Sequence, residues 1–459
     1  MSLPIYPNST PKTPKLDASL SEWLNYMQQI HVSAIDMGLA RVLPVAESLG
    51  LVQSAKDDAF VFTVAGTNGK GSTTAVISAL CQAAGYKTAL YQSPHLSQFN
   101  ERIRIDGEMV SDKTLIDAFV KVEHARLSCA LTLSFFEMTT LAALLIFAEA
   151  NCDAWVLEVG LGGRLDVVNI IDADMAVITN IGIDHVEWLG DNLEAIGREK
   201  AGILRDDITL IYGSTEMPNS VQQLIDEHRA TCYQVSKDFS FQAQDKDTWQ
   251  YSNAALTLQL PRPALSLTNT ANALSAVLAS PLNVGINAIE RALNTVKLAG
   301  RFDYRHIKDR HWLFDVAHNE QGVEFLLAQL VPLWQRHLAD TSSAQQTSAQ
   351  PADVKEPNIK ILFSMLADKD INRVVEQLTQ AHLPITDWYL GEIDYPRATP
   401  IEQLETVVAS YVDKSNCHAF ANLPQATAAV IASSQPQDLI VVCGSFHTIG
   451  ETLTALGAD

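Results

Sequence analysis

Basic residues are scarce in this chain. The 32 Lys and Arg stand against 53 Asp and Glu, a formal net charge of −21 over 459 residues. Nucleic acid and anionic membranes both demand a basic face, so the balance argues against either as a main partner. An anionic small substrate would need a local basic pocket or a metal ion. Long apolar runs are missing too. "TTLAALLIFAEA" falls short of the roughly 20 residues a membrane helix needs. It is bounded by Glu137 and Glu149, and a buried helix is expected there. The opening "MSLPIYPNSTPKTPKLD" lacks the apolar core of a signal peptide, so a cytoplasmic location is expected. The six cysteines, at 81, 129, 152, 232, 417 and 443, include no C-x-x-C pair. Several sit in apolar runs such as "VVCGSF", which points to buried reduced thiols.

What remains is ordinary globular material, 47% hydrophobic and 19% charged, long enough for two or three domains. "LSEWLNYMQQI" has helical periodicity. "AFVFTVAG", "KTALYQS", "DAWVLEVG", "DMAVITNIG" and "ITLIYG" read as apolar strands, with "GSTTAVISALCQAAG" as a helix closed by Gly85. Apolar strands alternating with helices predict a mostly parallel, doubly wound sheet. Residues 232–268 are polar and irregular, and an antiparallel appendage is expected there; two helical stretches follow. "KLAGRFDYR" reads as a linker. A second alternating series starts with "HWLFDVAH" and closes with "DLIVVCGSF". Within it, "LADTSSAQQTSAQPADVKEPN" is expected as a flexible surface insertion.

One stretch stands out chemically. "VFTVAGTNGKGSTT", Val61–Thr74, is a strand that breaks into glycines and then starts a helix. It misses the common phosphate-loop spacing, because Val64 stands where the first glycine belongs and Gly71 follows Lys70. The physics of a phosphate cradle is nevertheless present. Gly66, Gly69 and Gly71 permit close backbone approach, and the helix start offers unpaired N–H groups and a positive dipole end. Lys70 adds a point charge, Ser72 and Thr73 hydroxyls. A plain strand–turn–helix would need one glycine there.

The motifs "TVAGTNGKGST", "YQSPHL", "ERIRIDG", "LEVGLGGRLDVVNI", "GIDHVEWLG", "IGREKAGI", "GRFD", "FDVAHN", "LADKD" and "VVCGSFHT" occur in this order over about residues 20 to 450. Together they resemble the Mur ligase superfamily, in its folylpolyglutamate synthase branch with dihydrofolate synthase activity. The resemblance implies an α/β fold: a large P-loop-type doubly wound N-terminal domain (1–298) that binds ATP and folate, and a smaller Rossmann-like C-terminal domain (299–459) for glutamate. It implies an ATP-dependent ligase joining L-glutamate to dihydropteroate, and to tetrahydrofolate and its polyglutamates, through an acyl phosphate. "SAIDMGLARV" is similar to the pteroate-contacting segment of the bifunctional type. A monofunctional folylpolyglutamate synthase is the alternative. A murein peptide ligase fits less well, because only about 60 residues precede Gly66, too few for a nucleotide-sugar domain. A nucleotide switch would need the loop but not the other motifs.

The same resemblance assigns roles. Gly66, Thr67, Asn68, Gly69, Lys70, Gly71 and Ser72 would cradle ATP, with Arg301 at the phosphates and Asp315 at the ribose or adenine. The family's asparagine is Asn269 or, in a shifted alignment of "NTANA", Asn272. Ser93, Glu158 and His185 would hold Mg²⁺, with Mn²⁺ able to substitute; K⁺ is a further expected ion. A carboxylate in an apolar strand, such as Glu158, is costly unless it has such a use. Lys200 matches a lysine that related ligases carbamylate, turning a cation into an anion for a second metal; phosphate binding or pairing with Glu199 is the simpler reading. Lys70, Lys200 and His318 are the catalytic candidates. Ala34, Ile35, Asp36, Phe136, Leu165 and Asp166 would meet the pteroate or folate, Phe136 by stacking. His318 and Ser445 would face glutamate. Two domains around one reaction imply closure, with Gly300 expected at the hinge, and a monomer is the default.

Overall fold

The computed structural model describes residues 12–15, 17–31, 36–52, 59–346 and 356–458. Its strands in the first part of the chain are β1 (Phe60–Ala65), β2 (Thr88–Tyr91), β3 (Ile103–Ile105), β4 (Glu108–Met109), β5 (Ala154–Glu158), β6 (Met175–Ile178), β7 (Thr209–Tyr212) and β8 (Thr231–Gln234). They form one sheet in the order β4-β3-β2-β5-β1-β6-β7-β8. The six strands from β2 to β8 in that order run parallel, and β3 and β4 turn antiparallel at one edge. β2, β5 and β6 are buried throughout, as apolar strands between helical layers must be. Helix Lys70–Ala83 packs against β1, β2 and β5, and helix Leu267–Ala279 against β6 and β7. "TTLAALLIFAEA" falls in the largely buried helix Phe135–Glu149, whose Phe147 meets Trp155 of β5 edge-on.

Several strands were not expected, β3 and β4 among them. β8 falls where the irregular appendage was predicted to begin, yet it completes the main sheet beside β7. As an edge strand it is half exposed and therefore polar, which hid it. The appendage proper is β9 (Phe239–Ala243), β10 (Thr248–Asn253) and β11 (Thr257–Pro261), antiparallel around β10. The predicted linker likewise runs into β12 (Asp303–Ile307), a half-exposed edge strand with alternating burial.

β12 pairs antiparallel with β13 (Arg310–Asp315). The later strands are β14 (Ile359–Phe363), β15 (Ile385–Gly391), β16 (Cys417–Phe420) and β17 (Leu439–Cys443). Their order is β12-β13-β17-β14-β15-β16, parallel from β13 onward. The expected surface insertion is helical at its start: helix Glu320–Gln346 runs through Pro332 and on past "LAD". Its Ala and Gln residues favour helix, and no glycine stops it. The remainder of that stretch, 347–355, lies outside the described residues.

The chain divides into two compact units. The first runs to Val296, apart from 96–98 and 264–266; the second takes those short pieces and everything from Lys297. Gly300, the expected hinge, sits inside the second unit. Its N–H donates to Asp303, its carbonyl accepts from Val316, and a Cβ there would lie 3.1 Å from Leu96 Cδ1. All six cysteines are free thiols, four of them buried. Among the described residues no helix is long and apolar enough to cross a membrane.

Candidate active site

The glycine loop leaves the carboxyl end of β1 and feeds helix Lys70–Ala83. Gly66 (φ +150°) and Gly69 (φ +82°) take backbone conformations that side chains resist. Space matters equally: a Cβ would stand 1.9 Å from Thr179 Oγ1 at Gly66, and 2.3 Å from Asn269 Oδ1 at Gly69. The loop is laced to the end of β6. The N–H of Thr67 donates to Asn180 O (3.1 Å), that of Asn68 to Asn180 Oδ1 (3.0 Å), and Asn180 Nδ2 returns a bond to Asn68 O. Lys70 Nζ folds back to donate to the carbonyls of Gly66 (2.9 Å) and Thr67 (3.2 Å), holding its charge over the loop. Gln92 Nε2 braces Gly71 O at 2.8 Å. Ser72 and Thr73 are buried in the first turn. Of the two candidate asparagines, Asn269 lies against the loop. Asn272 is fully buried beside Gly213, with both amide atoms unpartnered.

Neighbouring strand ends carry the acids. The register Val64↔Glu158 sets Glu158 next to the end of β1, 3% exposed. Ser93, after β2, donates its N–H to Glu158 Oε2 at 3.4 Å. His185, after β6, is more open; it has a left-handed backbone and starts helix Val186–Leu189 beside Asp184. Among the described residues no group of three His, Cys, Asp or Glu could hold a metal by itself. As ligands, Glu158, Ser93 and His185 would offer one carboxylate, one hydroxyl and one imidazole. That suits a hard ion such as Mg²⁺, which takes few protein ligands and completes its shell with water and phosphate oxygens. The residues therefore fit the group.

Helix Leu193–Ala201 brings up Lys200, 4% exposed. Burial, aided by the nearby Lys70 ammonium, pushes its pKa down to about 7, against the pull of Asp184. Glu199 turns instead to Arg164 (2.8 Å). The "GLGGR" loop is seated on this helix: a Cβ at Gly163 would lie 2.8 Å from Glu199 O. Asp166 is buried and stitches the loop, accepting from the N–H of Leu161 and of Val168. Burial raises its pKa to about 6, against backbone donors and Lys70. The Phe136 ring lies directly over Gly160, where a Cβ would come within 2.5 Å of it. Leu165 is half-buried. Asp36 is held by His31 (3.1 Å) and Arg41 (2.5 Å), and Arg41 also grips Glu137 at 2.6 Å. Ala34 and Ile35 lie outside the described residues.

Sequence reasoning passed over Arg102 of "ERIRIDG". Its Nε donates to His95 Nδ1 (2.8 Å), its guanidinium faces the Phe99 ring at 5.6 Å, and burial lowers its pKa while Tyr91, Glu101 and Glu158 raise it. A basic residue alternating with isoleucines was the available signal.

In the second unit, Asp315 ends β13 and spends both oxygens on backbone donors, the N–H of Phe302 (2.8 Å) and of Ala317 (2.9 Å). Burial raises its pKa; Arg301 opposes. Arg301 lies 4.8 Å from the centre of the Phe446 ring. His318 Nδ1 donates to Val316 O at 2.7 Å. Ser445 caps helix Phe446–Leu456, accepting from Thr448 N–H at 3.0 Å.

Residues 64–280 match the model of the Mur ligase middle domain. Over 448 residues the chain is 38% identical to the dihydrofolate synthase/folylpolyglutamate synthase of Escherichia coli K12, covering 97% of this chain and 98% of that protein. The enzyme of the same name from Haemophilus influenzae is 34% identical, covering 95% and 97%. Among solved structures, E. coli FolC in complex with DHPP and ADP superposes with a TM-score of 0.86 at 37% identity, covering 97% of this chain and 99% of that one. A bifunctional folylpolyglutamate synthase/dihydrofolate synthase with Mn, AMPPNP and L-glutamate bound gives 0.84 at 33% identity, covering 97% and 100%.

Proposed function

The chain belongs to the dihydrofolate synthase/folylpolyglutamate synthase family, and from that premise we propose how its residues divide the work. It is an ATP-dependent ligase that adds L-glutamate to dihydropteroate and to folylpolyglutamates. The observation that carries the residue assignment is the laced glycine loop, with Lys70 folded over it and buried Glu158 on the next strand.

A carboxylate does not react with an amine at neutral pH, because its oxygen is a poor leaving group. Transfer of the γ-phosphoryl group from ATP to the pterin's carboxylate gives an acyl phosphate and ADP. The glutamate amine then attacks the carbonyl carbon, phosphate leaves with the bonding electron pair, and the amine loses a proton. The protein's share is positioning and charge balance. Loop N–H groups and Lys70 hold the phosphates, and Asn269, against Gly69, supports the nucleotide; Arg301 and Asp315 are the second unit's candidates for nucleotide binding. Ser93, Glu158 and His185 would hold a divalent ion, Mg²⁺ or Mn²⁺, which when bound lowers the cost of bringing anionic phosphate and carboxylate together.

Lys200 is assigned the carbamate. With its pKa near 7 a large share of the amine is neutral, and a neutral amine attacks CO₂ to give N–CO₂⁻ with loss of one proton. Phe136 offers its face to the pterin ring, with Asp36, Leu165 and Asp166 shaping that region. His318 and Ser445 take glutamate. We place the enzyme in the cytoplasm, which its six free thiols suit, and take a monomer as its default state.

The test supplies dihydropteroate and tetrahydrofolate separately with ATP, Mg²⁺ and glutamate, and identifies products by mass. Glutamate-dependent ATP turnover with both acceptors is expected. Turnover independent of glutamate would overturn the assignment.

A further inference from the structure

The chain is acidic, and glutamate carries two carboxylates, so the second unit must offer it a local cation. Four loops leave the same edge of the second sheet, because β13, β17, β14 and β15 are parallel. In open α/β sheets this carboxyl edge is where ligands bind. His318 follows β13 and Ser445 follows β17. The loops after β14 and β15 carry "LADKD" and "DYPRAT", which the assignments above leave without a role.

Those two loops are joined by backbone. Ala367 N–H donates to Arg397 O (2.9 Å), Thr399 N–H to Met365 O (3.2 Å), and Leu366 bridges to Ala398. On this frame sits a small constellation. The Arg397 guanidinium lies 5.5 Å from the centre of the Tyr395 ring and 3.5 Å from Asp368 Oδ2. The other side of the arrangement is His447, whose ring stacks on Tyr395 at 4.2 Å and 24°. His447 stands two residues after Ser445, in the first turn of helix Phe446–Leu456. Its pKa is lowered by burial and then by Arg397. Aromatic and carboxylate neighbours thus fix a guanidinium that stays 54% exposed. The 3.5 Å contact to Asp368 is too long to occupy its donors.

We propose that Arg397, steadied by Asp368 and the Tyr395–His447 stack, binds the side-chain carboxylate of the incoming glutamate and selects it over neutral amino acids. The proposal rests on the placement of glutamate at this edge through His318 and Ser445. With the amine directed to the β13–β17 side, the far carboxylate extends toward β14 and β15. A planar fork of N–H donors matches a carboxylate in two parallel bonds.

Steady-state kinetics of the full-length enzyme test it. Arg397→Ala should raise KM for glutamate by roughly 30-fold, with kcat and KM for ATP unchanged, and should narrow the preference for glutamate over glutamine. Arg397→Lys should fall between, because charge remains without the fork. An unaltered glutamate KM in Arg397→Ala overturns the proposal. His318→Ala separates the two levels: if it raises glutamate KM while Arg397→Ala does not, Arg397 alone is excluded. If neither moves it, the placement of glutamate fails as well.

Discussion

Each sheet carries its proposed site residues at its own carboxyl edge, yet Glu158 and Lys200 of the first differ sharply in burial from Arg397 and Asp368 of the second. In the first unit two of the charged site candidates are deeply buried: Glu158 is 3% exposed and Lys200 4%. In the second, Arg397 is 54% exposed and Asp368 37%. Burial shifts equilibria. It pushes Lys200 down to about 7 and Asp166 up to about 6. Such groups suit phosphoryl transfer and reactive amines, where strong fields and unusual protonation matter. An exposed, propped guanidinium suits capture and release of a small soluble amino acid. The first unit should therefore govern rate, and the second should govern affinity for glutamate.

The largest effects should come from the buried side. Lys70→Ala and Glu158→Ala should each lower kcat on the order of 1000-fold or more with both acceptors, measured by phosphate release. A change confined to KM would break the contrast between the units. Next in size is Lys200. Lys200→Ala should cost roughly 100-fold in kcat, and CO₂-free buffer should reduce wild-type activity in a way that bicarbonate restores. Intact-mass analysis of wild type in bicarbonate should show the added CO₂, absent from the variant.

The sign of the stability effect is fixed by linkage. A lysine held at about 7 binds its proton less tightly folded than unfolded. The unmodified lysine thus penalises the folded state fully below pH 7, and the penalty fades as pH rises towards the ordinary lysine value. In CO₂-free buffer Lys200→Met should melt higher than wild type at pH 6, and the gap should close by about pH 10. The smallest effect belongs to residues outside both edges. Ser111 caps helix Asp112–Ser128 by accepting from Thr114 N–H at 3.1 Å. Ser111→Ala should cost about 1 kcal/mol of stability in chemical denaturation and leave all kinetic constants alone.

How much of this could be read from sequence follows the same division. Buried strands such as "AFVFTVAG" and "DLIVVCGSF" are apolar throughout, and their type was legible. β8 and β12 were missed because edge strands carry polar residues that resemble loop. Helix Glu320–Gln346 was cut short because Ser- and Gln-rich composition reads as disorder even where no helix breaker intervenes. In the site, Glu158 and Lys70 announced themselves as charges among apolar residues and glycines. Arg102 and Arg397 did not. Their meaning comes from His95 and Phe135 in one case, and from Asp368 and His447 in the other, partners that only folding brings near.

Gly160 contributes only the absence of a side chain, and that absence lets the Phe136 ring rest on the backbone. A flat antifolate designed to lie against that ring would inherit this dependence. Resistance could then arise at a position the drug never touches, through one added methyl group that tips the ring out of place. Inhibitor design against this surface should avoid leaning on the ring alone and reach for anchoring atoms that the chain cannot shift without losing its own chemistry.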